Sequence, residues 1–164
     1  MKKHNISFEF TEYDGNQGLQ PEQITLLEKA FAACSTAYAP YSLFRVGAAV
    51  ELNTGEIVLG SNQENIAYPS GLCAERVAVY AAMSQYPDST IRRIAISTSG
   101  EGKTSEIPAA PCGSCRQSLL EYELNQDYMI ELIIGTPGEK IRVIQGIQHL
   151  LPLHFHEPGL RKDR

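Results

Sequence analysis

The sequence predicts a layered α/β/α domain with about five strands. Helical and strand-like segments follow one another in the order α-β-β-α-β-α-β-β. Only the four residues 136–139 separate the last two strands. A parallel crossover needs a dozen or more residues, so we expect the last two strands to form an antiparallel pair.

The first helix begins at Pro21, because proline suits the first helical position and Glu22 follows it in the first turn. It is expected to end near Tyr38, before Pro40. Its predicted buried face consists of apolar residues at helical spacing, namely Ile24, Leu27, Phe31 and Cys34.

The clearest pattern after this helix is a hairpin, with strands at 44–52 and 57–61 around a tight turn. The segment 62–72 is expected to be irregular. A helix of small residues then begins at Cys73. The elements predicted from there onward are a helix, a strand, a helix, two strands and a helical turn, at 73–85, 91–98, 113–124, 128–135, 140–145 and 146–151.

The chain divides into an N-terminal extension (1–20), one domain (21–157) and a polar C-terminal tail (158–164). In the extension, apolar and polar residues alternate from Ile6 to Phe10, which indicates either an added edge strand or a loosely attached arm.

Composition excludes several classes of protein. The net charge is −5 and the basic residues are scattered, which argues against a nucleic-acid partner. No apolar run reaches the ~20 residues of a membrane span, and the N-terminus lacks the apolar region of a signal peptide. We therefore expect a cytoplasmic protein, in which four cysteines are metal-binding or catalytic rather than disulfide-bonded.

Three of the cysteines stand where helices are predicted to begin. Cys112 and Cys115 have the C-x-x-C spacing of a metal knuckle, and Cys73 supplies a third thiol from another helix start. Three cysteine ligands leave one tetrahedral position of a zinc ion open, as in catalytic sites. Glu75 is placed to carry protons at that position.

Three thiolates also make zinc a weaker Lewis acid, so their negative charge needs an offset. The helix N-termini supply one, and Arg76 could supply another by donating hydrogen bonds to a thiolate. The alternative for Arg76 is a solvated helix residue. The alternative for Glu75 is a helix-start carboxylate favoured by the dipole.

Two other interpretations of the cysteines remain open. The C-x-x-C pair is also typical of a dithiol redox site, which would leave Cys73 and Glu75 without a role. A closed four-cysteine structural zinc site would have to include Cys34, which is better explained as a buried core residue. The four histidines are interpreted as non-ligands.

Together these motifs resemble the zinc-dependent deaminases, whose signature contains C/H-A-E followed by P-C-x-x-C. Cysteine as the first ligand is similar to the branch that acts on free nucleosides. Residues 40–49 (PYSLFRVGAA), 62–69 (NQENIAYP), 73–76 (CAER), 111–117 (PCGSCRQ) and 150–155 (LLPLHF) closely resemble the small homotetrameric cytidine deaminases.

The resemblance implies a five-stranded mixed sheet flanked by helices and one zinc ion per subunit. The implied zinc ligands are Cys73, Cys112 and Cys115. It also implies that Glu75 is the catalytic proton shuttle and that Arg76 supports the thiolates. The implied substrate-binding residues are Asn62, Glu64, Phe44, Ala74 and Phe155. Of these, Asn62 and Glu64 bind the ribose hydroxyls. The two phenylalanines pack against base or sugar, and Phe155 serves either its own site or that of a neighbouring subunit.

The function expected from this resemblance is hydrolytic deamination of cytidine and 2′-deoxycytidine, by attack of zinc-bound hydroxide on C4 of the base. The expected partners are a nucleoside substrate and further copies in a homotetramer, with no nucleic acid and no membrane. One alternative is a deaminase of another aminopyrimidine nucleoside, against which the Asn62/Glu64 pair argues. The other is a structural-zinc or dithiol redox protein. The sequence departs from the family at 1–20, at Gln63, in the 99–110 loop and at 156–164.

Overall fold

The computed structural model describes residues 1–100 and 107–157. Part of the 99–110 loop and the tail predicted at 158–164 therefore lie outside the described residues. The strands are β1 (Thr11–Asp14), β2 (Arg45–Leu52), β3 (Ile57–Ser61), β4 (Ile91–Ser99), β5 (Glu131–Gly135) and β6 (Lys140–Gln145). The α-helices are α1 (Pro21–Ala33), α2 (Ala74–Gln85) and α3 (Gly113–Glu123), and short 3₁₀ turns occur at Cys34–Thr36, Tyr68–Ser70 and Ile147–Leu150.

The strands form one mixed sheet in the order β1-β6-β5-β4-β2-β3. β4 and β5 run parallel, and the other neighbours are antiparallel. The predicted β2–β3 hairpin and the predicted antiparallel pair β5–β6 are both confirmed.

The expected count of five strands is wrong by one, because the N-terminal extension adds β1 to the edge of the sheet. The alternating residues 6–10 are not the strand, which comes immediately after them. Pairing with β6 decides its position: Glu12 lies opposite Arg142 and forms an ion pair of 2.8 Å with that guanidinium and one of 3.6 Å with Lys140. The extension therefore contributes an edge strand, which was the first of the two alternatives predicted for it.

Helices cover both faces of the sheet, as the three-layer prediction requires. On one face α1 packs through Leu26, Leu27 and Ala30 against a small apolar cluster of the strands. On the other face α2 and α3 pack on the larger core. That core contains Ala78, Val79, Leu119, Leu120, Val50, Ile94 and Leu132, among others.

The buried face of α1 differs from the one predicted. Leu27 and Cys34 are buried as expected, but Phe31 is 41% exposed and Ile24 is only partly buried. The helix gives way to a 3₁₀ turn after Ala33, earlier than the predicted end. A face centred on Leu26 and Ala30 reaches the sheet, because Gly47 of β2 lets the backbone of α1 approach very closely. A methyl group at Gly47 would lie 2.0 Å from the Ala30 oxygen.

None of the described helices is both long and apolar enough to cross a lipid bilayer.

Candidate active site

A cavity of about 710 Å³ opens where the start of α2, the 41–44 loop and the segment after β3 meet. That volume suits a small organic ligand. Most of the predicted site residues line it, namely Phe44, Asn62, Glu64, Cys73, Ala74, Glu75, Arg76 and Cys112. The fold therefore assembles in one place residues that are spread over nearly seventy positions of the chain.

The three predicted zinc ligands come together at the start of two helices. Cys73 is the N-cap of α2, Cys112 is the N-cap of α3, and Cys115 lies in the first turn of α3. Within the described residues, these three thiols form a group whose sulfurs all lie within 4.8 Å of one another. The Sγ atoms of Cys112 and Cys115 are 3.5 Å apart. Zn–S bonds of about 2.3 Å in a tetrahedron place sulfurs about 3.8 Å apart, so the group fits zinc.

The position of Cys73 depends on close packing between α2 and β3. A methyl group at Gly60 would lie 2.4 Å from the Ala78 nitrogen and 2.7 Å from the Ala74 oxygen. Neither helix start has a side-chain cap that would occupy its free N–H groups. Those N–H dipoles therefore favour negative charge at the sulfurs.

The electrostatics of the thiols favour one thiolate even without metal. A hydrogen bond from Cys115 is the main cause that lowers the pKa of Cys73 to about 5, and Arg76 contributes in the same direction. The same contact with Cys73, together with burial, raises the pKa of Cys115. The Nη2 atom of Arg76 lies 4.0 Å from Cys73 Sγ, which is the contact predicted from the sequence. Binding of a metal cation to these sulfurs would release their thiol protons.

The predicted proton carrier lies inside the protein beside this group. Glu75 is only 4% exposed, in the first turn of α2. Burial raises its pKa, and the nearby Cys73 charge acts in the same direction, whereas Cys115 and Arg76 oppose the change. A carboxyl group whose pKa is raised by burial in a cavity is suited to exchanging protons with a ligand.

The two residues predicted to bind ribose also hold the chain itself. The Asn62 side chain accepts a hydrogen bond from the Val46 nitrogen (2.8 Å) and donates one to the Phe44 oxygen (2.9 Å). Glu64 accepts from the nitrogens of Tyr41 (2.9 Å) and Ser42 (3.2 Å) and from the Ser42 hydroxyl. Each side chain keeps further hydrogen-bonding capacity, so ribose binding remains a prediction.

The two predicted aromatic contacts differ in location. Phe44 lines the cavity with 47% of its surface exposed. Phe155 is 71% exposed, and neither it nor the buried Cys115 belongs to the cavity lining.

Cys34 lies apart from the metal group, and its thiol contacts the backbone oxygens of Ser97 (3.4 Å) and Ala30 (3.7 Å). A fourth cysteine ligand is therefore not supplied by Cys34.

Sequence reasoning missed two side chains that hold the α3 region in place. Arg116 donates to the carbonyl oxygens of Pro111 and Leu150, both at 2.8 Å, and so ties the metal knuckle to the segment that leads to Phe155. Glu123 is buried and accepts hydrogen bonds from the backbone nitrogens of Ile130, Ile147 and Gln148. No local pattern signals their contacts with Leu150, Ile147 and Gln148, because these partners are distant in sequence.

A three-layer domain with a three-thiol metal group at two helix starts and a buried glutamate beside it defines the class of zinc-dependent deaminases. Comparison with known proteins agrees. The family model described as "Cytidine and deoxycytidylate deaminase zinc-binding region" matches residues 21–130. The chain belongs to the cytidine and deoxycytidylate deaminase family.

Individual relatives cover most of the chain. A cytidine deaminase of Mycobacterium tuberculosis is 41% identical over 135 residues, which are 82% of this chain and 90% of the relative. One of Halalkalibacterium halodurans is 38% identical over 96 residues, 58% of this chain and 68% of the relative. The crystal structure of cytidine deaminase from Burkholderia pseudomallei superposes with a TM-score of 0.67 at 36% identity, covering 80% of this chain and 97% of that one.

Proposed function

We propose that this chain catalyses the hydrolytic deamination of cytidine and 2′-deoxycytidine to uridine and 2′-deoxyuridine, with release of ammonia. The observation that carries the proposal is the three-thiol group beside a buried Glu75, in a cavity that Asn62 and Glu64 also line. The relatives named cytidine deaminase support the choice of substrate.

Bound zinc would supply a Lewis acid that activates water as the nucleophile at neutral pH. Glu75 is the residue that moves protons. Its carboxylate takes a proton from the attacking water and gives it to N3 of the pyrimidine as oxygen adds to C4. It then takes the remaining proton from the hydroxyl now on C4 and delivers it to the 4-amino group, so that the C4–N bond breaks, the C4 carbonyl forms and ammonia leaves. Burial supports this role because it brings the acidic and basic forms of Glu75 closer in energy.

The remaining cavity residues bind and orient the nucleoside. Asn62 and Glu64 have unused hydrogen-bonding capacity for the sugar hydroxyls, and a site built for a hydroxyl rejects analogues that lack it. Phe44 packs against base or sugar, and Ala74 contributes the backbone at the start of α2 beside the base. Arg76 offsets the charge of three thiolates by its contact with Cys73.

A homotetramer is part of the same proposal. Phe155 and Leu153 are 71% and 92% exposed on the C-terminal segment, outside this chain's own cavity, which supports a role for Phe155 in the site of a neighbouring subunit. We also assign the enzyme to pyrimidine salvage and to the cytoplasm. The location rests on the use of free thiols as ligands, which suits a reducing compartment.

The direct test is to incubate zinc-loaded protein with cytidine and follow the loss of cytidine absorbance in the ultraviolet. Turnover with ammonia release supports the proposal, and no change would refute it. Nucleoside antibiotics and other aminopyrimidine nucleosides tested in parallel address the first alternative. X-ray absorption addresses the second, since a catalytic site shows three sulfurs and one lighter ligand, whereas a closed structural site shows four sulfurs.

A further inference from the structure

The loop that brings Tyr41, Ser42 and Phe44 to the cavity is anchored at its start by one carboxylate and at Phe44 by the Asn62 amide. Glu64 Oε2 accepts hydrogen bonds from the backbone nitrogens of Tyr41 (2.9 Å) and Ser42 (3.2 Å). Glu64 Oε1 contacts the hydroxyl of Ser42. A residue proposed to bind sugar is therefore also an anchor of the loop that carries Phe44.

The direction of the hydrogen bonds at Ser42 follows from its neighbours. The Phe44 nitrogen can only donate, and it does so to Ser42 Oγ at 3.0 Å. The hydroxyl hydrogen of Ser42 is then free to point at Glu64 Oε1, which as a carboxylate oxygen can only accept. This contact is the main cause that lowers the pKa of Glu64, so the carboxylate stays ionised.

The backbone of the loop is one that a side-chain-bearing residue rarely adopts. Leu43, which lies between Ser42 and Phe44, has φ 57°. Its side chain is 76% exposed, so packing of that side chain does not hold the backbone in this conformation. Its nitrogen donates to the Ala39 oxygen at 3.1 Å. Such conformations persist where the surroundings hold them, and here the surroundings are the contacts of Ser42 with Glu64 and Phe44.

Counting acceptor sites shows what remains for a ligand. An ionised carboxylate has about four lone-pair sites. Tyr41 and Ser42 occupy three of those on Glu64, two on Oε2 and one on Oε1. One site on Oε1 is left, and the Ser42 hydroxyl decides the direction in which it points.

We propose that Ser42 is a specificity-determining positioning residue, which aims the free acceptor site of Glu64 at one sugar hydroxyl and couples that contact to the placement of Phe44. The inference rests on the proposed function and extends it. Loss of the Ser42 hydroxyl frees Oε1 to rotate and releases the Phe44 nitrogen, so recognition of the sugar weakens while the zinc group and Glu75 are unaffected.

The test is a cycle that combines Ser42→Ala with removal of single hydroxyls from the substrate. Wild-type and variant are assayed on cytidine, 2′-deoxycytidine and 3′-deoxycytidine. We expect Ser42→Ala to lower kcat/KM for cytidine by about ten- to a hundredfold, as for a hydrogen bond to a charged group, with most of the loss in KM. For the deoxynucleoside that lacks the recognised hydroxyl, the loss should shrink to about threefold or less.

Matched variants separate this role from a structural one. Ser42→Thr keeps the hydroxyl and should recover most of the activity. Ser35→Ala removes an exposed hydroxyl that donates to the Ala32 oxygen of the same helix end, and it should leave the rates on all three substrates unchanged. If Ser42→Ala does not fold, Ser42→Cys, whose thiol is a weak donor, is used in the same cycle.

An equal loss on all three nucleosides, or no loss on any, overturns the role of Ser42 while leaving the deaminase assignment intact. A wild-type protein that is inactive on every nucleoside overturns both.

Discussion

Replacing Glu75 by glutamine tests the chemistry most directly, because the change keeps size and removes the exchangeable proton. General acid–base catalysis contributes about 10²- to 10⁴-fold to rate. The structure indicates the upper part of that range. Glu75 is 4% exposed, and the other carboxylate lining the cavity, Glu64, already accepts three hydrogen bonds from Tyr41 and Ser42 and is proposed to bind the sugar. We therefore expect kcat to fall about 10³- to 10⁴-fold, which is a barrier increase of roughly 4–5.5 kcal/mol.

The assay is the initial rate of cytidine absorbance loss, with bound zinc measured on the same samples. Zinc content should stay at one per chain, because the three thiols are unchanged, and KM should change far less than kcat. Glu22→Gln is the matched control, since Glu22 also lies in the first turn of a helix but is on the surface. A zinc-loaded Glu75→Gln enzyme within tenfold of wild-type kcat would refute the role of Glu75 as proton carrier.

The same variant has a predictable effect on stability. Burial raises the pKa of Glu75 above its ordinary value of 4.5, so in zinc-free protein the folded state resists ionisation of this group. Well below pH 4.5 the carboxyl is protonated in both the folded and the unfolded state, so its burial does not lower the free energy of unfolding. As the pH rises through the folded-state pKa, wild-type stability is lost and that of Glu75→Gln is not. Zinc-free Glu75→Gln should therefore be the more stable protein at pH 7, with the difference vanishing towards pH 4, as measured by urea unfolding.

Three further predictions concern the framework of the site. In zinc-free protein, the rate of Cys73 alkylation by iodoacetamide should rise with pH around a midpoint near the Cys73 pKa of about 5, since only the thiolate reacts, and Arg76→Ala should move that midpoint upward. Peptide mapping measures the extent of alkylation at each pH, and an unchanged midpoint excludes Arg76 from thiolate support. Gly60→Ala should push α2 off the sheet, costing about 1–3 kcal/mol and weakening zinc binding. Gly100→Ala, whose methyl meets no atom of the described residues within 4 Å, should do neither. Glu123→Gln should lower the free energy of unfolding by about 1–3 kcal/mol at unchanged zinc content, because a glutamine has only one side-chain oxygen and leaves at least one buried backbone N–H without a good acceptor. Equal urea midpoints for variant and wild type would contradict this.

Local sequence was sufficient to place Glu75 and the three cysteines of the metal group at helix starts. Each cysteine stands at or just inside a helix start, and helix starts are marked by short-range signals such as Pro111 before the knuckle. The two-residue step from Cys73 to Glu75 also depends only on the geometry of one helical turn. The grouping of the three cysteines was expected from their motifs and the family resemblance, and it is found in the fold. The catalytic role of Glu75 stays a prediction.

The remaining features depended on where distant segments meet. The face of α1 that is buried, with Phe31 outside and Ala30 inside, depends on the close approach at Gly47 rather than on the helix's own apolar pattern. The strand β1 exists because the edge of β6 offers unpaired backbone groups and basic partners for Glu12.

The sequence by itself determined the order of the elements and the antiparallel last pair, because each depends on spacing within about a dozen residues. It also marked Glu75 and the three cysteines as candidate site residues through short motifs at two helix starts. The tertiary structure alone decided which side chains support those groups. Ser42 reaches Glu64, Arg116 reaches Leu150 and Glu123 reaches Ile147 across stretches of chain that carry no mutual signal. A hydrogen bond between distant segments requires only that the fold bring one donor and one acceptor within about 3 Å, and no periodicity in the sequence records that distance.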